Sequence, residues 1–334
     1  MPVYDGLVLI SFGGPEGPDD VMPFLENVVR GKNVPRQRLA AVAKHYELFG
    51  GISPINAQNR SLLTALLGEL NAHGCQLPVY WGNRNWHPML ADTLRTMADD
   101  GVRHALAFVT SAFGSYPGCR QYLEDIAQAR EAAGPDAPQV DKLRLFYNHP
   151  GFIETMAARV ESALSELPAE RRAAARLIYT AHSIPVEMAR RSPYEHQLRE
   201  ACGLISRQVG RSEWQLAYQS RSGPPSQPWL EPNVGDSLRE LGRGGSVHDV
   251  VIVPVGFLCE HMEVVYDLDV EVREICDELG LGMVRAGVAG NHPRLVRMIR
   301  ELIDERLAEN PTRLALGDDG PWPDECPPGC CASE

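Results

Sequence analysis

Two similar α/β domains, each built on a parallel sheet, with a cleft between them and a cysteine-rich tail, are predicted by three features of the 334-residue sequence. Short β-branched or aromatic runs alternate with longer helical patterns, the signature of βαβ units. The two halves repeat one another at a constant offset of 144 residues. The chemistry-bearing side chains gather just after the apolar runs, where open parallel sheets place their ligands.

The runs predict strands at 7–12, 78–81, 105–110, 176–180, 214–218, 250–255 and, more weakly, 283–285. Helical patterns cover 18–29, 36–49, 58–72, 88–100, 119–133, 149–166, 186–209, 233–242, 264–279 and 292–310, the last amphipathic. Aligned at the offset of 144, Pro88/Pro232, Asp92/Asp236, Leu94/Leu238, Arg95/Arg239, Gly101/Gly245, His104/His248 and Phe113/Phe257 are identical. The first strands correspond as well, at an offset of 170, LVLISFGGPE beside the part of RLIYTAHSIP that starts at Leu177, with Phe12 opposite His182. The expected units are residues 1–148 and 149–312, joined near FYNHPGF at 146–152, and then a tail over 313–334.

Composition bounds the partners. With 44% apolar and 23% charged residues the chain reads as an ordinary globular protein. A net charge of −12 lacks the clustered positive field that nucleic acid or an anionic membrane requires. The longest apolar run, 250–259, is roughly half a membrane span and carries Pro254 and Gly256. The N-terminus has no basic segment before its strand-length apolar run, so the reading is a cytoplasmic protein without membrane insertion. Eight cysteines in such a chain are not expected to form structural disulfides.

Four loops follow the strand ends, 12–16, 111–119, 182–185 and 256–263, and two facing domains would line one cleft with them. His182 and Glu263 stand out there. An imidazole and a carboxylate converging on one cleft can bind a divalent cation or take protons. Glu263, Asp267 and Glu271 repeat at i, i+4, i+8, a row that drifts around an α-helix. A π-type segment would hold the row straight, and such segments are frequent at functional sites. Straightened, the carboxylates form a path for hydrated cations toward His182; a solvated acidic face is the plain alternative. The run 219–232 (QSRSGPPSQPWLEP) reads as a long irregular connection.

The blocks SFGGPE, HYELFGGISPIN, GNRNW, YTAHSIP, YQSRSGPP with PWLEP, and VGFLCEHMEVVYDLD, in this order over nearly the whole chain, resemble the ferrochelatase family. FLENVVRG, SYPGCRQYLEDI and the cysteine tail look like its actinobacterial type. The resemblance implies the class II chelatase fold, two Rossmann-like domains with porphyrin in the cleft. It implies His182 and Glu263 as residues of iron insertion, with Fe²⁺ as substrate, and Asp267 and Glu271 as the cation path. The actinobacterial type implies coproporphyrin III as the porphyrin; protoporphyrin IX, or a non-catalytic haem- or porphyrin-binding redox sensor, are the alternatives. By resemblance the porphyrin contacts are Arg30, Ser53, Ser115 and Tyr116, with Ser53 and Tyr116 foremost. At Phe12 other relatives carry a Tyr, and Phe cannot ligate a metal.

The tail, GDDGPWPDECPPGCCASE, is too rich in Pro and Gly to bury much core. Its Cys326, Cys330 and Cys331 lack only a fourth thiolate for zinc or an iron–sulfur centre. The internal repeat nominates Cys119, which aligns with Glu263. Related ferrochelatases hold a [2Fe–2S] cluster by one internal and three C-terminal cysteines, so the resemblance implies Cys119, Cys326, Cys330 and Cys331 as its ligands. The partners expected are the porphyrin, Fe²⁺ and other haem-pathway enzymes, for a chain that acts as a monomer.

Overall fold

A computed structural model describes residues 4–327 and 329–332. Strands β1 (Gly6–Ser11), β2 (Val79–Asn83), β3 (His104–Val109) and β4 (Gln139–Lys142) form one sheet in the order β2-β1-β3-β4. Strands β5 (Arg176–His182), β6 (Trp214–Gln219), β7 (Asp249–Val253) and β8 (Gly282–Arg285) form a second in the order β6-β5-β7-β8. Every pairing is parallel. β1 and β7 are buried along their whole length, because helices cover both faces of a parallel sheet.

The repeat in the sequence is therefore a repeat of topology. Asn83 N–H donates to Pro88 O at 2.7 Å in the first unit, and Tyr218 N–H donates to Pro232 O at 2.8 Å in the second. Across the sheets Asn83 pairs with Ser11 and Tyr218 with Ala181, so Phe12 and His182 follow equivalent positions. In the second unit the strand runs one residue further and takes in His182 itself.

Three expectations needed correction. β4 (QVDK) has one apolar residue in four, too weak a signal to read, yet a strand at the sheet edge needs only one covered flank. The single helix expected over 186–209 is two, Val186–Arg190 and Tyr194–Gln208, interrupted where Pro193 disfavours helical backbone in its predecessor. The helix expected from Pro88 begins at Leu90. The expectation of a widened acidic helix holds: Met262–Tyr266 is α, Asp267–Val272 is π, and Arg273–Leu279 is α again.

One apolar core runs through both units, from Leu7 and Phe108 to Tyr179 and Val253, with Leu295, Ile299 and Ile303 of helix Pro293–Leu307. A smaller cluster joins helices Pro18–Val28 and Arg36–Glu47 to Met262 through Phe24, Leu25, Leu39 and Tyr46. No helix among the described residues is long and apolar enough to cross a membrane.

The tail packs Leu316 and Trp322 against the core and is strapped there by polar contacts. Arg144 makes two 2.7 Å bonds to Glu305, and its Nη2 donates at 2.8 Å to Leu314 O. Leu316 N–H donates to Asn148 O at 2.8 Å, and Tyr147 donates its hydroxyl to Asp319 at 2.8 Å. Arg144 and Glu305 are nearly sealed from solvent, 1% and 5% exposed. Removing one partner of a buried, doubly bonded pair strands the other charge, at about 3–5 kcal/mol. Glu305→Ala is therefore expected to lower unfolding stability by about that amount in chemical denaturation. A loss under about 1 kcal/mol would mean that water already reaches the pair.

Candidate functional site

His182 ends β5, and its ring faces the helix that begins at Met262. His182 Nε2 lies 3.4 Å from Glu263 Oε1, while Nδ1 contacts the carbonyl oxygen of Ser183. Tyr194 donates its hydroxyl to His182 O at 3.0 Å and pins the strand end. The loop to Glu263 must pass directly over β5. Gly256 N–H donates to Thr180 O at 3.0 Å, and a Cβ on Gly256 would fall 2.7 Å from Ala181 Cα. Only glycine permits that approach. The two side chains remain open to the cleft, His182 at 28% and Glu263 at 48% exposure.

The pair sets its own charge state. Burial disfavours the imidazolium of His182, but the Glu263 carboxylate outweighs this and raises its pKa above the ordinary 6.5. Burial likewise opposes the Glu263 carboxylate, yet His182, then His261, hold its pKa down at about 2. His261 stands with Nδ1 4.0 Å from Glu263 Oε2, and burial lowers its own pKa. One carboxylate thus sits between two imidazoles, with the pKa of His182 raised and that of His261 lowered.

The acidic row continues along the widened helix. Burial pushes Asp267 up to about 7, with the charges of Glu263 and Glu271 on either side adding to the rise. Ser220 donates its hydroxyl to Asp267. Glu271 is also raised, by burial and then by Glu274. Asp269, on the same segment, is turned away and locked by Arg285 at 2.6 and 2.9 Å. The π geometry therefore sorts the acids into a row facing His182 and a structural one facing β8.

The opposite wall comes from the first unit. Phe12, 38% exposed, stands at the position equivalent to His182, edge-on to Phe24 at 6.2 Å. Arg84 lies 5.7 Å from the Phe12 ring centroid, with Nε 2.9 Å from Asp125 and Nη1 3.3 Å from Pro117 O. Ser53 is buried beneath Gly14, where a Cβ would fall 2.6 Å from the Ser53 Cβ. Ser115 caps the π-helical turn Tyr116–Arg120, its hydroxyl accepting from Gly118 N–H at 3.0 Å. Tyr116 donates its hydroxyl to Glu124 at 2.9 Å. Arg30 is exposed just past helix Pro18–Val28. The walls meet where Gln58 Oε1 accepts from Glu260 N–H at 2.8 Å and where His45 stacks on Tyr266 at 3.7 Å.

The residues that the sequence reading passed over are Arg84, Gln219 and Ser220 as individual side chains. Their blocks, GNRNW and YQSRSGPP, were legible, but nothing local distinguishes a cleft-facing Arg or Gln from a surface one. The only cue was position, directly after a strand.

The tail brings its thiols to Cys119. Cys119 and Cys331 are buried, Cys326 and Cys330 partly so. A hydrogen bond from the Cys119 thiol lowers Cys326 to about 5 and raises Cys119 itself. Cys330 Sγ lies 3.5 Å from Cys331 Sγ. Among the described residues no group of three or more His, Cys, Asp or Glu side chains is arranged to hold a single metal ion. Cys326 contacts both Cys119 and Cys330, so the four thiols form one chain of contacts, a set of soft donors of the kind that zinc or an iron–sulfur centre takes.

The model of the ferrochelatase family matches residues 4–307. The ferrochelatase of Rhodopirellula baltica is 54% identical over 99% of this chain and 94% of its own. The coproporphyrin III ferrochelatases of Frankia alni and Mycolicibacterium smegmatis are 52% and 50% identical, over 98% and 95% of this chain and 86% and 94% of theirs. Among solved structures, the sirohydrochlorin chelatase SirB of Bacillus subtilis subspecies spizizenii, in complex with cobalt, superposes with a TM-score of 0.54 at 12% identity. It covers 92% of this chain and 98% of its own, a likeness of fold.

The shifted pair carries a pH signature. His182 is raised, so its contribution to stability is complete below 6.5 and is lost as pH climbs through the folded value. Glu263 is lowered, so its share is complete above 4.5 and is lost as pH falls toward about 2. The stability difference between the native protein and Glu263→Gln should therefore be widest at pH 4.5–6.5. The same substitution should lower the pH at which the His182 ring titrates by NMR. An unmoved His182 titration would show that the two groups are not paired in solution.

Proposed function

The chain belongs to the ferrochelatase family, and from that premise we propose that it inserts Fe²⁺ into coproporphyrin III, giving iron coproporphyrin III for haem synthesis in the cytoplasm. The observation that carries the reading is the 3.4 Å contact of His182 Nε2 with Glu263 Oε1, open to a cleft and backed by an acidic row. The names of the relatives support coproporphyrin III over protoporphyrin IX.

Metallation requires two pyrrole N–H protons to leave for each Fe²⁺ that enters. In the resting site the Glu263 carboxylate favours the imidazolium of His182 and so weakens it as a base. A cation arriving at Glu263 cancels that attraction and favours loss of the His182 proton to solvent; the neutral imidazole then accepts one pyrrole proton, passes it to solvent and accepts the second. Asp267, poised near neutrality, exchanges its proton for a cation as the hydrated ion passes along Glu271 and Asp267 toward Glu263. A planar macrocycle hides its lone pairs in the ring plane, and binding energy from the propionates serves to pucker it.

Four propionates need donors. Ser53, Tyr116, Arg30 and Ser115 are assigned to them under conditions set by the geometry: Ser53 and Ser115 are buried, at 3% and 2% exposure, so the loops above them must open for either to reach a propionate. Tyr116 must release Glu124 to turn its hydroxyl to a propionate. Ser115 accepts from Gly118 and still has its own O–H to give. Each copy of the duplicated sheet supplies one wall, so one chain completes the cleft and the reading is a monomer.

Cys119, Cys326, Cys330 and Cys331 are assigned to a [2Fe–2S] cluster. Such a centre supplies one-electron redox chemistry when bound. Nothing in the metallation scheme needs it.

Anaerobic incubation with Fe²⁺ and either porphyrin, followed by loss of free-base fluorescence, tests the function. Coproporphyrin III should be consumed faster; metallation of neither would sink the reading, and preference for protoporphyrin IX would replace the substrate. His182→Ala should lower turnover by about 100- to 10,000-fold, the usual range for losing a general base, while fluorescence quenching still reports porphyrin binding. For the cluster, the purified protein should be brown, absorb in the visible and bleach with dithionite, and Cys119→Ser should be colourless. A colourless native protein holding one zinc per chain would refute that assignment.

A further inference from the structure

The strand beside His182 ends in two residues that both grip the acidic helix. Gln219 is the sheet partner of His182, and its carbonyl accepts from Ser183 N–H at 2.8 Å. Its side chain is 2% exposed, and Nε2 donates to the backbone carbonyl of Glu263. The next residue, Ser220, donates its hydroxyl to the Asp267 carboxylate. Glu263 and Asp267 are one helical turn apart, so the two grips fall on successive turns.

Consecutive residues of a strand point to opposite faces, so an extended Gln-Ser pair could not reach one helix with both side chains. The backbone resolves this at Ser220, which adopts φ +60°, the left-handed region that few residues other than Gly occupy. Such conformations persist where surrounding contacts over-determine them, and they gather at functional sites. Here the turn brings the hydroxyl of Ser220 to the helix that Gln219 already holds.

Gln219 is a costly choice for stability alone. Its Oε1 is buried with no hydrogen-bond partner among the described residues, a penalty of about 1–3 kcal/mol that a Leu or Met would avoid. What an apolar side chain lacks is the N–H that reaches the Glu263 carbonyl. We infer that Gln219 is the positioning residue that fixes Glu263 opposite His182, acting with Ser220 as a two-point clamp on the acidic helix. Through this clamp the distance between the two groups is set by one peptide pair at the end of β6, adjacent to His182 in the sheet, instead of by the widened helix. The inference rests on the metal-insertion reading of His182 and Glu263 and deepens it.

The test compares the native chain with Gln219→Glu and Gln219→Met, of similar length but unable to donate as the amide does, and with Gln219→Asn, which keeps the N–H on a shorter stem. Anaerobic metallation of coproporphyrin III by Fe²⁺ gives kcat and KM, fluorescence quenching gives porphyrin affinity, and thermal melting reports folding. A misplacement of about 1 Å costs on the order of 100-fold in rate. The expected result is a roughly 10- to 100-fold fall in kcat for both non-donors, porphyrin affinity within about twofold of native, and partial recovery in Gln219→Asn. Should one non-donor fail to fold, the other decides. A folded non-donor with kcat within about twofold of native overturns the inference, as does a loss of porphyrin affinity in step with kcat. A native chain that metallates neither porphyrin refutes the proposed function, a different outcome from an active native chain matched by its Gln219 variants.

Discussion

The contact between the His182 imidazole and the Glu263 carboxylate is the constraint on which the rest of the site depends. These groups come from different strand ends, 81 residues apart in sequence, and nothing local brings them together. Three features of the fold do so. β5 runs one residue longer than β1, which carries His182 to the rim. Gly256 has no Cβ to hold the following loop away from β5. The helix that starts at Met262 is pinned at its carbonyl side by the end of β6. Each acts through backbone position, so the pair's geometry is a property of the scaffold more than of either side chain.

The duplicated sheet explains the division of labour between the walls. At equivalent positions after the first strand, one copy carries Phe12 and the other His182. Phe12 can neither ligate nor move a proton; exposed and flanked by Phe24 and Arg84, it offers a flat apolar face with a cation beside it. That apolar face suits a macrocycle; the Arg84 charge beside it is already engaged by Asp125. In the proposed function the His182–Glu263 pair lies in the second copy, and the first supplies the apolar wall.

Much of this was written in the local pattern, and the exceptions have physical causes. LVLIS, ALAFV and VVIV announce buried parallel strands because both of their faces are covered, so no polar alternation interrupts them. QVDK escaped notice because an edge strand owes its pairing to the neighbouring β3, which its own residues do not encode. The break at Pro193 was visible in retrospect, but a helical period on both sides masked it. The π segment could be anticipated because three carboxylates at four-residue spacing make sense as a row only if the helix widens. The Gln219 and Ser220 grips could not, since they depend on the left-handed backbone at Ser220, and serine gives no sign of it.

The same widening has an electrostatic consequence that argues for transit over tight binding. Three carboxylates in a row cannot all be ionised at neutral pH without a counter-charge. In this row the end nearest His182 is held ionised at about 2, whereas Asp267, pressed between its two neighbours, rises to about 7. On the proposed path, a divalent ion entering at Glu271 would meet Asp267 half protonated near neutral pH and would displace its proton to advance to the ionised Glu263. A row of equally acidic groups would trap a cation at its mouth. On the proposed cation path, a gradient of acidity that is weak at the middle and strong at the end draws the ion inward to Glu263, beside His182.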